Sequence, residues 1–255
     1  RTAAAPAALI DGRGDLLQAN LTVATANNNL LAFDNTDERD FLIGTGVDVE
    51  APLEPTVAVA TDGDTIHVEA GTYSTPEADP VPIAEGVTLR GPYAGTAPDD
   101  TVRNISDRDD EATIENTVAI GGSDVTIDGL RITGGLTSGT QTDARAKGIQ
   151  LQPTTSTVSN ITIRNTRVEN LSSDSEQAAT GISLTPEASS TDSVSDVTIQ
   201  NNHITLSGTG STGIELAGLR SGDTGSEPAI VKGNQIANAS VPGSTGVVLS
   251  GSSST

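Results

Sequence analysis

VTIDG, residues 125–129, returns along the chain as VTLRG (87–91), ITIRN (161–165), VTIQN (197–201) and, more loosely, AIVKG (229–233). A second phrase keeps step with it: GIQL (148–151), GISL (181–184), GIEL (213–216) and GVVL (246–249). Two motifs alternating at nearly one period are the signature of stacked structural units. The phrases are short, and within them β-branched residues alternate with polar ones. Val125 and Ile127 flank Thr126, Ile161 and Ile163 flank Thr162, and Val197 and Ile199 flank Thr198. That period of two belongs to strands, not to helical repeats of similar length.

Each VTIDG-type phrase runs on into a second short strand: Leu130–Ile132, Thr166–Val168, Asn202–Ile204 and Asn234–Ile236. Between the two strands stands a column that admits only glycine or asparagine: Gly91, Gly129, Asn165, Asn201 and Gly233. These two residues enter the left-handed region most readily, so the column predicts a fixed corner with positive φ. Each coil then holds a GIxL strand, a loop, a VTI strand, a corner and a third short strand. Parallel crossovers are right-handed with few exceptions. The expected fold is therefore all-β: a right-handed, single-stranded parallel β-helix over residues 56–251, with a non-repeat segment before it.

Composition agrees with such a solenoid. Hydrophobic residues make up 34% of the 255, and the only aromatics are Phe33, Phe41, Tyr73 and Tyr93. The interior must be built from stacked Ile, Leu and Val columns. The charge is −21, with 34 acids against 13 bases, of which only Lys147 and Lys232 are lysines. Self-repulsion of that size opposes a compact fold at low salt, and molar salt, with a Debye length of about 3 Å, screens it. The composition resembles that of proteins from extreme halophiles. It disfavours nucleic acid, which asks for clustered basic residues. No apolar run approaches the length of a membrane helix, and without cysteine neither a disulfide nor a thiolate site can form.

The runs GDTIHVEAGTYS (63–74), GVTLRGP (86–92) and ATIENTVAIGGSDVTIDGLRITGG (112–135) resemble the pectin-lyase-like right-handed β-helix repeat proteins. The resemblance covers about residues 56–251. It implies the fold and leaves activity open, since that family includes polysaccharide lyases and hydrolases, tailspikes, adhesins and proteins with no known catalysis.

Outside the repeat, residues 1–55 are expected to cap or dock at the first coil, because a β-helix must cover its raw end edges. Residues 15–26 read as a short amphipathic helix, or 21–25 as a strand; Phe41–Ile43 and Val47–Val49 read as strands. GVVLS (246–250) is a full strand followed by a short tail, 252–255, so the chain is expected to continue or to meet another molecule there. The absence of Met suggests a trimmed product whose export signal is gone.

A hydrolase or lyase on this scaffold would need carboxylates or a carboxylate and a base on adjacent coils. The candidates are Asp109, Asp128 and Arg164, with Asp128 in the VTIDG corner facing outward. The hydrolase signatures of the resembled family are an NTD phrase, a DD pair and a GHG phrase with a following basic residue; they are not found as a set, since Asn35-Thr36-Asp37 lies outside the repeat, DD occurs at 99–100 and 109–110, and no GHG is present. Asp107, Asp109 and Asp110, within SDRDDE (106–111), are candidate oxygen ligands for calcium. Asn20, Asn104, Asn160, Asn170 and Asn238 begin Asn-x-Ser/Thr triplets and are glycosylation candidates if the protein is exported. His67 and His203 are far apart and are expected on the surface.

The function expected from these features is an extracellular cell-surface or virion structural and adhesion component from a hypersaline setting. It would present loops on a rigid β-helix to a glycan, a surface polysaccharide or partner subunits docking at its ends, without nucleic acid or membrane insertion. The alternatives are a secreted polysaccharide lyase or glycoside hydrolase, and a filament subunit. No cofactor is expected other than possible calcium.

Overall fold

A computed structural model describes residues 31–35, 38–43, 53, 57–58, 60–73, 80–97, 108, 110–134, 146–152, 157–171, 178–186, 193–219, 229–238 and 242–251. Residues 1–30, 47–49 and 252–255 lie outside these, as do Asp107, Asp109, Asn20 and Asn104, on which some of the expectations fall. The described chain is all β, a parallel β-solenoid. Among the described residues no helix is long and apolar enough to cross a membrane.

Chain order generates three strand columns. After β1 (Leu31–Asn35) and β2 (Glu38–Ile43), the VTI column holds β3 (Thr65–Val68), β6 (Thr88–Arg90), β9 (Thr126–Asp128), β12 (Thr157–Arg164), β15 (Ser193–Gln200) and β18 (Ile230–Lys232). Past the corner comes the second column, β4 (Gly71–Tyr73), β7 (Ala112–Ile114), β10 (Arg131–Ile132), β13 (Arg167–Leu171), β16 (His203–Leu206) and β19 (Gln235–Asn238). The GIxL column holds β5 (Val81–Ile83), β8 (Val118–Ile120), β11 (Lys147–Leu151), β14 (Thr180–Leu184), β17 (Thr212–Leu219) and β20 (Thr245–Gly251). Within each column neighbouring strands pair in parallel; Val194 of β15 also meets Leu219 of β17, joining two columns at an edge. The repeat therefore starts one strand earlier than its recognisable phrases: TIHV of β3 stands in the VTI column. Before it, β2 adds in parallel and β1 turns back antiparallel on β2.

Register puts like residues above like residues. Leu89, Ile127, Ile163 and Ile199 are successive partners, all fully buried. So are Ile114, Ile132, Val168 and Ile204 in the second column, and Ile149, Ile182 and Ile214 in the third. The first member of the second column is Tyr73, 1% exposed, whose hydroxyl donates to the Glu69 carbonyl at 2.9 Å. Leu53, Val57 and Ala60 join this core. The interior is thin, which explains the glycine of GIxL. A Cβ on Gly181 would lie 2.5 Å from Ile204 Cγ2 and 2.7 Å from the Gly213 carbonyl oxygen. Here glycine is demanded by space, not by φ.

The corner column is left-handed at Gly129, Asn165, Asn201 and Gly233, with φ of 74°, 54°, 54° and 63°. Gly91 departs from the expectation: it is not left-handed. A Cβ there would sit 2.3 Å from the Gly129 carbonyl oxygen, so close stacking selects its glycine. A second left-handed column went unread in the sequence. Gly86, Asp124, Asn160 and Asp196, at φ of 74°, 59°, 56° and 52°, each stand directly before a VTI phrase.

Just past the corner, buried polar groups form a ladder. Asn202, 1% exposed, accepts the Thr166 N–H at 3.0 Å on Oδ1 and donates from Nδ2 to the Ile163 carbonyl at 2.9 Å. One rung on, Asn234 Oδ1 accepts the Asn202 N–H at 3.0 Å, and its Nδ2 donates to the Ile199 carbonyl at 2.7 Å. A buried N–H left without its acceptor costs its full desolvation penalty. Asn202→Ala should therefore lose about 2 kcal/mol in urea unfolding, while Gln200→Ala on the outer side should change stability by less than about 0.5 kcal/mol. Equal, small losses in both would contradict the ladder's role.

Candidate functional site

The charged side chains collect where the corner turns from the VTI column into the second column. Asp128 follows inward-facing Ile127 and so stands on the outer side of β9. The expected outward direction holds, but the carboxylate is covered there and only 1% exposed. Residues 93–95 lie across it. That approach is possible because residue 129 has no side chain: a Cβ on Gly129 would fall 2.0 Å from Ala94 N. The loop brings the Gly95 N–H to Asp128 Oδ1 at 3.0 Å. Asn165 Nδ2 donates to the same oxygen at 2.7 Å, and Arg164 Nε to Oδ2 at 2.9 Å. Both carboxylate oxygens are engaged. Asp128 and Arg164 are thus brought together as expected of them, but as an ion pair that pins a loop rather than as an acid free to transfer a proton.

From Asn165 the chain of contacts continues through side chains the sequence did not single out. Arg108 Nη1 donates to the Asn165 carbonyl at 3.3 Å and to Glu111 Oε1 at 3.4 Å, and its Nη2 to the Thr96 carbonyl. Its guanidinium lies 4.6 Å from the centre of the Tyr93 ring, within cation–π range. Arg167 Nη1 donates to Glu111 Oε2 at 2.6 Å and its Nη2 to Glu169 Oε2 at 2.8 Å. Arg131 Nε closes the run on Glu169 Oε1 at 2.6 Å. Arg131, Arg167 and His203 are register partners on the outer side of the second column. Their shared place, two residues after the corner, was the available sequence signal. His203 is 5% exposed, correcting its assignment to the surface, while His67 is half-buried on the outer side of β3.

Burial pushes the Glu111 carboxyl up from its ordinary value, against the pull of the Arg167 and Arg108 guanidiniums. Burial likewise lowers the pKa of Arg108, opposed by Glu111, and the guanidinium stays protonated at any ordinary pH. Breaking a buried pair leaves an uncompensated charge.

Beside this network opens a pocket of about 450 Å³, lined by His67, Val68, Glu69, Ala70, Arg90, Gly91, Pro92 and Asp110. His67 and Arg90 are cross-strand partners on β3 and β6. Arg90, Glu69 and Asp110 are exposed. Of the three calcium candidates, Asp110 alone is described, and it faces this pocket. Among the described residues no three His, Asp or Glu side chains are grouped to hold a metal ion. Of the glycosylation candidates, Asn160 is exposed, left-handed, and donates its amide to Asp124 Oδ1 at 2.7 Å. Asn170 lies within β13 and Asn238 closes β19.

The patch balances acids and bases in a chain of charge −21. Arg90, Arg108, Arg131, Arg164 and Arg167 stand with Glu69, Asp110, Glu111, Asp128 and Glu169. Arg108, Arg167, Glu111, Asp128 and Glu169 are buried or nearly so and paired within the network, so the charged groups turned to solvent are Arg90, Glu69 and Asp110, with Arg131 and Arg164 partly exposed. No protein-family model, curated protein or solved structure matches the chain.

Removing Arg167 should expose the role of the network. Arg167→Ala is expected to cost about 3 kcal/mol at neutral pH, the usual loss when a buried ion loses its partner. Glu111 then sits still higher above its unfolded value. The penalty for ionising it is absent below the ordinary carboxylate range and grows as pH rises through the folded value. Urea unfolding should therefore show a smaller loss at about pH 5 than at about pH 7. A loss independent of pH would contradict this.

Proposed function

We propose that the protein is a component of an extracellular surface, cellular or viral, that holds a saccharide in the pocket lined by His67, Glu69, Arg90 and Asp110. The pocket itself carries the reading. Planar carboxylate, guanidinium and imidazole groups match the paired hydroxyls of a sugar ring. Ala70, Gly91 and Pro92 leave room for the ring to approach. The side chains stand on strands whose inner residues are fixed by stacking, so the ligand meets a preorganised surface.

The repeat phrases and the solenoid support kinship with the pectin-lyase-like β-helix proteins. The acid excess and scarcity of lysine support a hypersaline setting. Within this proposal the β-helix is a scaffold for adhesion, and Asp128 and Arg164 serve the architecture of the site. The competing reading, a polysaccharide lyase or hydrolase, needs a free acid or base at the bound sugar. The engaged oxygens of Asp128 count against that residue filling the role.

The test is a panel of neutral and acidic polysaccharides titrated calorimetrically in about 3 M salt, where surface repulsion is screened. A binding polysaccharide should lose about tenfold in affinity on Arg90→Ala and again on Asp110→Ala, about 1.4 kcal/mol each. Undiminished binding in both variants would remove the pocket from the account. Release of reducing ends or unsaturated products would replace it with the enzymatic reading.

A further inference from the structure

The triplet Asn160-Ile161-Thr162 is built into the repeat itself. The entry to the VTI strand reads Gly86-Val87-Thr88, Asp124-Val125-Thr126, Asn160-Ile161-Thr162 and Asp196-Val197-Thr198 in successive rungs. All four first residues are left-handed. All four middle residues are buried in the core. The threonines are register partners, half-buried on the outer side of the column. The backbone at this corner thus takes Gly, Asp or Asn alike, and among these rungs only one places an amide there. That single exchange turns the phrase into Asn-x-Thr, the acceptor pattern for an N-linked sugar.

The surroundings suit a bulky hydrophilic group. Asn160 is exposed. Ile161 is fully buried and anchors the triplet from inside, which leaves the asparagine and the threonine on the solvent side. The neighbouring rung holds the corner in place: the Asp124 N–H donates to the Ser159 carbonyl at 3.0 Å, and the Ser159 N–H to Ser123 Oγ at 3.0 Å. Asn160 Nδ2 donates to Asp124 Oδ1 at 2.7 Å. An amide nitrogen carries two hydrogens. A sugar replaces one, and the other keeps the bond to Asp124, so the first sugar would leave the corner in a fixed direction.

We propose that Asn160 carries an N-linked glycan. The donor is a sugar held on a lipid phosphate. Asn160 Nδ2 bonds to its anomeric carbon as the carbon–oxygen bond to phosphate breaks; the phosphate leaves with that electron pair, and the amide gives up one proton. Asn160 precedes the outer stretch of β12, whereas Arg164 ends it, in register with Asp128, Arg90 and His67. The glycan therefore sits at the opposite end of the VTI strands from the pocket, and leaves the pocket open. This inference rests on the extracellular reading, since only exported chains receive such sugars.

Trypsin places each of the five Asn-x-Ser/Thr triplets in a peptide of its own, and Asn160 falls in the peptide 148–164 as its only asparagine. The protein is taken from the cells that make it, with the surface, secreted or virion fraction kept apart from the cytosol. In exported protein, mass spectrometry should find peptide 148–164 heavier by whole sugar residues, and fragmentation should place them on Asn160. Thr162→Val keeps Asn160 and its bond to Asp124 but removes the hydroxyl of the acceptor pattern, and should return the peptide to its bare mass. Thr162→Ser should keep the sugar. Bare peptide 148–164 in exported protein, or sugar retained in Thr162→Val, would overturn the proposal and leave the extracellular reading standing. A chain confined to the cytosol would overturn both.

Discussion

A coil of this protein cannot bury its own apolar side chains. Each offers a few Ile, Leu or Val side chains on the inner side of three short strands, and these are covered by the facing columns together with the rungs above and below. Stability therefore comes from nearest-neighbour stacking, as in other quasi-one-dimensional folds. Everything else follows from keeping neighbouring rungs in register. The left-handed corners turn the chain at a fixed place, and the glycines of the GIxL phrases let two columns approach. The Asn202–Asn234 ladder satisfies backbone groups that a thin interior hides from water.

The same constraint organises the charged surface. Residues two places beyond the corners at Gly129, Asn165 and Asn201 stand on the outer side of the second column, so Arg131 and Arg167 are stacked side by side. Like charges at that spacing repel, and Glu111 and Glu169 lie between and around them. Gly129 then admits the loop whose Gly95 N–H reaches Asp128. A corner that serves the backbone in one rung thus shapes the wall of a pocket in the next. Strand stacking holds His67 and Arg90 beside each other, and the loop packed on the corner sets Gly91 and Pro92 against them.

The fold was legible because periodicity reports the inner residues, and these dominate the packing. The strand columns, their order and the GIxL register could be read from phrases such as ITIRN and GISL. The corner was read correctly at Gly129, Asn165, Asn201 and Gly233. It was misread at Gly91, because glycine answers to close approach as well as to positive φ. The second left-handed column escaped notice because Asp124, Asn160 and Asp196 look like ordinary loop residues. The site was much less legible. Asp128 was expected to face outward, and it does, but alternation does not show a loop folding across the outer face and burying it. Glu111 joins Arg167 and Arg108 joins the Asn165 carbonyl across 56 and 57 residues of sequence, links no local pattern records. His203 followed the same logic: its outward position was correct, and its burial depends on neighbours in other coils.

Amide hydrogen exchange would test the stacking most directly. Residues 125–127, 161–163 and 197–199 are separated in sequence but are vertical neighbours within one column. If rungs stabilise one another, their amides should exchange slowly and with similar protection, and destabilising one rung by Ile163→Ala should raise exchange in all three by a comparable factor, the cavity costing about 2–5 kcal/mol. Exchange that accelerated only at residues 161–163, leaving the rungs on either side unchanged, would contradict the account.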